Sequence, residues 1–388
     1  MVASAPADSI TLCLAGDVMT GRGIDQVMAH HVKPRLGEPW VRDARAYVRL
    51  AGHAHGAVSA PVGADYIWGA ALAEMARRQP DIRLVNLETA ITDRGHPWAT
   101  KAIHYRMHPA NVDCLRAANI GCCALANNHV LDWGLDGLQD TLRALDQAGI
   151  PRAGAGVNAV AACAPAVLSL PGGRRLLVFS WASPDSGVPS DWRAMQDRPG
   201  VAVSTDLAEA GAQQVADAVV RHRRADDVVV LSVHWGGNWG LSVSQAQRWL
   251  AHHWIDRGVA DVVHGHSSHH PRPVEVYRGR LILYGCGDLI NDYEGIGPEG
   301  PWDASAVCLY FARLSAASGT LQELEIVPMR LRRFQLTPAD AAAQEQLRQL
   351  FHAAQAPLSS RVQVRDDGRW LLDWPPPGRS GKAPGEGV

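Results

Sequence analysis

Five apolar runs in this chain each stop at a polar motif rich in metal-competent side chains, and no other sequence feature constrains the fold as strongly. Residues 10–15 (ITLCLA) end at Gly16-Asp17. Residues 82–85 end at Asn86-Leu87-Glu88, and 121–125 at Ala126-Asn127-Asn128-His129. Residues 228–233 end at His234-Trp235-Gly236, and 259–263 meet the cluster from His264 to His270. Short apolar runs bounded by turn residues read as strands buried on both faces. In open α/β sheets, ligands gather beyond the carboxyl ends of strands. Motifs from such distant points therefore predict one shared site.

Each motif allows two readings. Asp17 can ligate a metal or cap the following helix. Arg22 can hold a substrate phosphate or carboxylate, or pair with an acid. Asn86 and Glu88 fall on one side of an extended segment; Glu88 can bridge two metals or cap the next turn. In Asn127-Asn128-His129, an amide oxygen can ligate a hard cation while His129 faces substrate as an acid. Asp132, three residues on, can fix the His129 tautomer or serve as a cap. His234 can be a ligand or a structural histidine, and Trp235 and Trp239 read as packing residues.

The cluster HGHSSHHP carries the strongest single signal. His266 and His269 are spaced i, i+3, and Gly265 is expected to adopt an unusual backbone angle. His264 and His270 read as supporting residues. Histidine is also the compositional outlier: of 17 in the chain, eight lie between His222 and His270, as expected where neutral imidazoles bind metal. A mixed set of carboxylate, amide and imidazole favours a two-metal hydrolytic site over a structural zinc and suits manganese, zinc or iron.

The remaining chain reads as alternating β and α. Helices are expected at 68–78, 109–118, 135–148 (ended by Gly149), 246–257 and 339–354, the last capped by Thr337 with Pro338 in its first turn. Further strands are expected at 175–180, 280–284, 307–314, 321–327, 362–364 and 370–374. Residues 33–63 read as an excursion or lid, and 375–388 as a Pro/Gly-rich disordered tail. A formal net charge of −2 argues against a nucleic-acid partner. Seven cysteines without CxxC spacing argue against a disulfide framework. No stretch reaches the length of a membrane span, so the expectation is a cytoplasmic protein.

Together, GDVMTGR (16–22), NLE (86–88), ANNH (126–129) with Asp132, HWG (234–236), and Gly265-His266 to His269 followed by YGCGD (284–288) resemble the poly-γ-glutamate synthesis (CapA-type) family over residues 10–328. The resemblance implies a four-layer α/β/β/α sandwich of the metallophosphatase type at 8–335, with a small C-terminal extension at 336–374. It implies Asp17, Glu88, Asn128, His234, His266 and His269 as ligands of two divalent metal ions, and His129 as general acid beside Asp132. The substrate would be an anionic small molecule, peptide or polymer: a phosphoester or a γ-glutamyl-type amide in a hydrolase, or poly-γ-glutamate in a non-catalytic capsule assembly factor. The sequence departs from the family pattern at Asn238, Ser267 and Asp288, where an acid, a histidine and an asparagine are usual, and its residues 1–10, with no basic or apolar stretch, are not expected to form the N-terminal membrane anchor usual in capsule export.

Overall fold

The computed structural model describes residues 9–296, 302–355 and 358–376; most of the expected tail lies outside them. Two sheets form the centre. The ten-stranded sheet runs in the order Arg361–Val364, Trp370–Asp373, Leu321–Arg332, Ala306–Ser315, Ser9–Val18, Ile82–Leu87, Cys122–Ala124, Arg152–Ala153. Asp288–Ile290 adds alongside Ser9–Val18, and Gln335–Pro338 alongside Leu321–Arg332. The six-stranded sheet runs Val274–Tyr277, Arg280–Leu283, Val262–His266, Val228–His234, Arg175–Ala182, Ala166–Ser169.

Alternation along the strands explains the layering. From Ser9–Val18, Ile10, Leu12 and Leu14 point into a core shared with Val178, Val230, Val262 and Leu281 of the other sheet. Cys13 and Ala15 point the opposite way, into a core with Ile24, Met75, Leu138 and Leu142. Beyond the second sheet, Phe179, Val229, Leu231 and Val263 pack against Val215, Leu250 and Trp254, from helices Glu209–Val220 and Gln245–Asp256. Three cores separate four layers, so the expected α/β/β/α sandwich is the observed one.

Ser9–Val18, Ile82–Leu87 and Cys122–Ala124 run parallel in the first sheet, and Arg175–Ala182, Val228–His234, Val262–His266 and Arg280–Leu283 in the second. Their carboxyl ends therefore emerge on a common edge, with Asp17 paired to Asn86 and Asp288 in register. His234 pairs with His266 in the same way. Gly16 permits this convergence: a Cβ there would lie 1.7 Å from the Gly287 carbonyl oxygen.

Several sequence expectations shift. Thr337 and Pro338 do not open the late helix; they belong to the strand Gln335–Pro338, a peripheral position where the missing proline N–H is tolerated. The helix begins at Ala341, and the Asp340 carboxylate accepts from the Ala343 N–H at 2.9 Å. Residues 33–63 include a helix, Arg45–His55. The strand expected at 259–263 runs from Val262 to His266, so His264 and His266 sit on the strand itself. Residues 336–374 continue the ten-stranded sheet through Trp370–Asp373 and Arg361–Val364. Among the described residues, no helix is long and apolar enough to cross a membrane.

Candidate metal centre

Asp17 lies at the middle of the converging edge. Its Oδ1 accepts from Asn86 Nδ2 at 2.7 Å, and the same amide donates to Glu88 Oε2 at 2.8 Å. Asn86 and Glu88 thus share a face, as alternation predicted. Asp17 Oδ2 is buried and has no hydrogen-bond partner. Burial and the neighbouring Asp288 charge push the Asp17 pKa up; burial and Asp17 push Glu88 up. Buried carboxylates without a cation are unfavourable, so the pocket is electrostatically incomplete as protein alone.

Two groups of ligand atoms surround Asp17. Asp17, His234 and His266 form one, and Asp17, His269 and Asp288 the other; within each, the atoms lie within 4.8 Å of one another. The rings are held from outside. His266 Nε2 meets Ser232 Oγ at 2.9 Å, which turns Nδ1 toward His234 Nδ1 at 2.8 Å. Asn128 Oδ1 lies 3.1 Å from His234 Nε2, so this amide orients the ring. His269 Nδ1 meets Asp288 Oδ1 at 2.8 Å, and Asp288 Oδ2 accepts from Asn291 Nδ2 at 2.9 Å. Burial, first of all, drives His234 and His266 well below the usual imidazole range. Neutral imidazoles with outward nitrogens fixed are what a divalent cation requires; with the orphaned Asp17 oxygen, the donor set fits one.

The structure brings Asp17, His234, His266 and His269 together and adds Asp288. Glu88 adjoins through Asn86, and Asn128 through His234. Asn127 supports the turn: its Nδ2 donates to Asn86 Oδ1 and the Leu87 carbonyl at 3.0 and 2.9 Å, and its Oδ1 accepts from the N–H groups of His129 and Val130 at 3.0 and 3.1 Å. Gly265 is required for space, not for an unusual angle: a Cβ there would lie 2.5 Å from the Leu283 oxygen. The positive φ falls instead on Ser267, at 97°. His264 ties the sheets together, with Nδ1 at 3.0 Å from Ser232 Oγ and Nε2 donating to the Ala15 carbonyl at 2.9 Å. His270 stacks on Trp239.

His129 faces this centre. Its Nδ1 lies 2.6 Å from Asp132 Oδ2, which leaves Nε2 3.9 Å from Glu88 Oε1. Burial lowers the His129 pKa to about 4, opposed by Asp132 and assisted by Lys101. Lys101 was not apparent from the sequence. Its Nζ lies 2.5 Å from Asp132 Oδ1 and 3.3 Å from His129 Nδ1, and it also donates to the Asn128 carbonyl. No periodicity marks a lone lysine in a loop, so only the folded geometry reveals it.

Arg22 takes the second of its two readings. It is buried, with Nε donating to Asp292 Oδ2 at 3.1 Å, Nη1 to Glu38 Oε1 at 3.0 Å, and Nη2 to Asp292 Oδ1. Tyr47 and Tyr105 cover its faces, with ring centroids at 4.0 and 4.5 Å. Two carboxylates occupy its fork, so it braces the wall beside the site. Trp235 is a packing residue, stacked between Trp254 and Tyr284. Trp239, expected as packing, lines an open cavity next to His269.

The chain is 45% identical over 361 residues to a probable polyglutamine synthesis accessory protein of Mycobacterium tuberculosis, covering 93% of this chain and 95% of that one. It is 28% identical over 231 residues to the PGA biosynthesis protein CapA of Bacillus subtilis, covering 59% and 58% of the two chains. A phosphatase structure from Mycoplasma pneumoniae aligns over 87% of this chain and 97% of that one, at 10% identity and a TM-score of 0.46. The model of the bacterial capsule synthesis protein PGA_cap family matches residues 11–293, and the chain belongs to that family.

Proposed function

We propose that this protein is a metal-dependent hydrolase whose two cations share Asp17, acting on a phosphoester or a γ-glutamyl-type amide. One observation carries the reading: the same buried, half-unpaired carboxylate belongs to both groups of potential ligands. Asp17, His234 and His266 would hold one cation, and Asp17, His269 and Asp288 the other, with Glu88 and Asn128 alongside. Bound manganese, zinc or iron would supply Lewis acidity toward the substrate and an activated water.

The protein's own groups supply the rest. Asp132 takes the Nδ1 side of His129, so Nε2, unprotonated in the neutral ring, is the atom that takes a proton from the attacking water and passes it to the leaving group. Lys101 compensates the Asp132 charge and anchors the Asn128 carbonyl, which keeps the His129 turn in place. Arg22 and Asp292 hold the adjoining wall. The test is turnover of phosphoesters and γ-glutamyl amides by protein loaded with manganese or zinc. His129→Ala is expected to lose most activity while keeping its metal. Absence of turnover across the panel with metal bound would refute the hydrolase reading.

The names of the Mycobacterium tuberculosis and Bacillus subtilis relatives favour a second reading, an accessory protein of polymer synthesis that binds the polymer without consuming it. Metal-dependent retention of poly-γ-glutamate at constant chain length would support that alternative.

A further inference from the structure

A cavity of ≈ 630 Å³ opens beside His269. Its walls are aromatic, with Trp40, Trp239, Tyr293 and Trp302 among the lining residues. Trp239 and Tyr293 also flank the His269 ring, at centroid distances of 5.4 and 5.5 Å. The aromatic wall is therefore continuous with the candidate metal centre. Trp40 stands at 65% exposure on this wall, leaving a flat apolar face open to solvent.

The charges of the wall are already balanced. Arg22 is held by Asp292 and Glu38. Arg330 is held by Asp303 and Asp340, both at 2.9 Å. His55 lies 2.7 Å from Glu294. Every arginine among the described lining residues already has carboxylate partners, and Glu294 and Asp303 themselves line the cavity. A substrate extending a carboxylate into this space would meet matched cations and like charges. An uncharged ring would meet aromatic faces on which it can stack.

Accepting the hydrolase reading, we infer that the part of the substrate remote from the reacting bond is an uncharged ring, aryl or pyranose, seated in this aromatic cavity, and not a γ-glutamate oligomer. The cavity has the size of a small-molecule site. It accounts for Trp40 and Trp239, which the metal centre does not use.

The test uses the full chain loaded with manganese and substrates matched at the reacting group. 2-Phenylethyl phosphate and glucose 6-phosphate are compared with 3-phosphoglycerate, all primary alkyl esters, and γ-glutamyl phenylalaninamide with γ-glutamyl glutamate, both amides of an α-amino group. The ring-bearing member of a pair should be favoured in kcat/KM by about tenfold, the size of one aromatic stacking contact. The phenyl and glucosyl arms distinguish the two kinds of ring. Trp40→Ala should raise KM for the preferred ring substrate with kcat unchanged, and Trp40→Phe should restore it. Trp302→Ala replaces Trp40→Ala if the latter fails to fold. Equal rates within pairs, or preference for the carboxylate-bearing member, would overturn the inference. Failure of all turnover would refute the hydrolase reading instead. Binding then decides the inference: phenylphosphonate should quench tryptophan fluorescence at lower concentration than 2-carboxyethylphosphonate, and the reverse order, equality or no binding by either would overturn it.

Discussion

Asp17→Asn should change stability in opposite directions with and without metal. In the metal-free protein the Asp17 carboxylate is fully buried, carries one unpaired oxygen, and sits against Asp288 and Glu88 with no cation. Asparagine keeps the shape and can still accept from Asn86 Nδ2 through its own oxygen. Its amide nitrogen replaces the unpaired Oδ2 and carries no charge. Removing the need either to bury that charge or to hold it protonated near neutral pH is worth about 1–4 kcal/mol. At roughly 2–4 °C per kcal/mol for larger domains, the metal-free variant should melt several degrees above the metal-free wild type. With metal the order reverses, because the variant lacks the carboxylate common to both ligand groups. Thermal unfolding in chelator and in excess manganese, with metal content on the same samples, measures both arms. A variant that melts lower than wild type in chelator, or keeps the full metal-dependent gain, would refute the electrostatic argument.

Other consequences follow from the same geometry. Without metal, stability should fall as pH rises above about 6.5, where unfolded histidines have already lost their protons, because unfolded carboxylates are ionised while folded Asp17 and Glu88, with raised pKa values, still hold protons; at lower pH the buried neutral rings of His129, His234 and His266 oppose the trend, so denaturant melts at pH 7 and pH 8.5 check it, and added metal should reverse it. Asn127→Ala removes a buried amide that makes four hydrogen bonds and should cost about 3 kcal/mol, read from denaturant midpoints. Gly16→Ala forces a Cβ against the Gly287 carbonyl and should cost about 3 kcal/mol, visible as a lowered melting temperature. Lys101→Met should lower kcat about tenfold or more with metal content unchanged, as loss of an orienting group does, and Lys101→Arg should recover part of it.

The strand frame was legible because both faces of the inner strands are buried. Continuous apolar runs such as 228–231 cannot be mistaken for a half-exposed strand, and the polar motifs that follow mark the common edge. The edge strands were harder. Ala166–Ser169 alternates buried and exposed over four residues, too short for the pattern to stand out. Asp288–Ile290 is only three residues long, so nothing in its sequence shows that it aligns with Asp17. The site was legible where a motif ends a strand, as at Asp17, His234 and His266. It was not legible where folding brings loops together. Lys101 reaches Asp132 across 31 positions, and Arg22 reaches Asp292 across 270. Arg22 illustrates the limit: the sequence offers a free guanidinium, and only the fold shows the two carboxylates that occupy it.

The central claim is that two cations share Asp17. Anomalous diffraction at the manganese edge, from crystals of the manganese-loaded chain, tests it most directly. Two peaks are predicted, each within ligand distance of the Asp17 carboxylate, one beside His234 and His266 and the other beside His269 and Asp288. A single peak, or peaks that leave Asp17 without a metal, would contradict it.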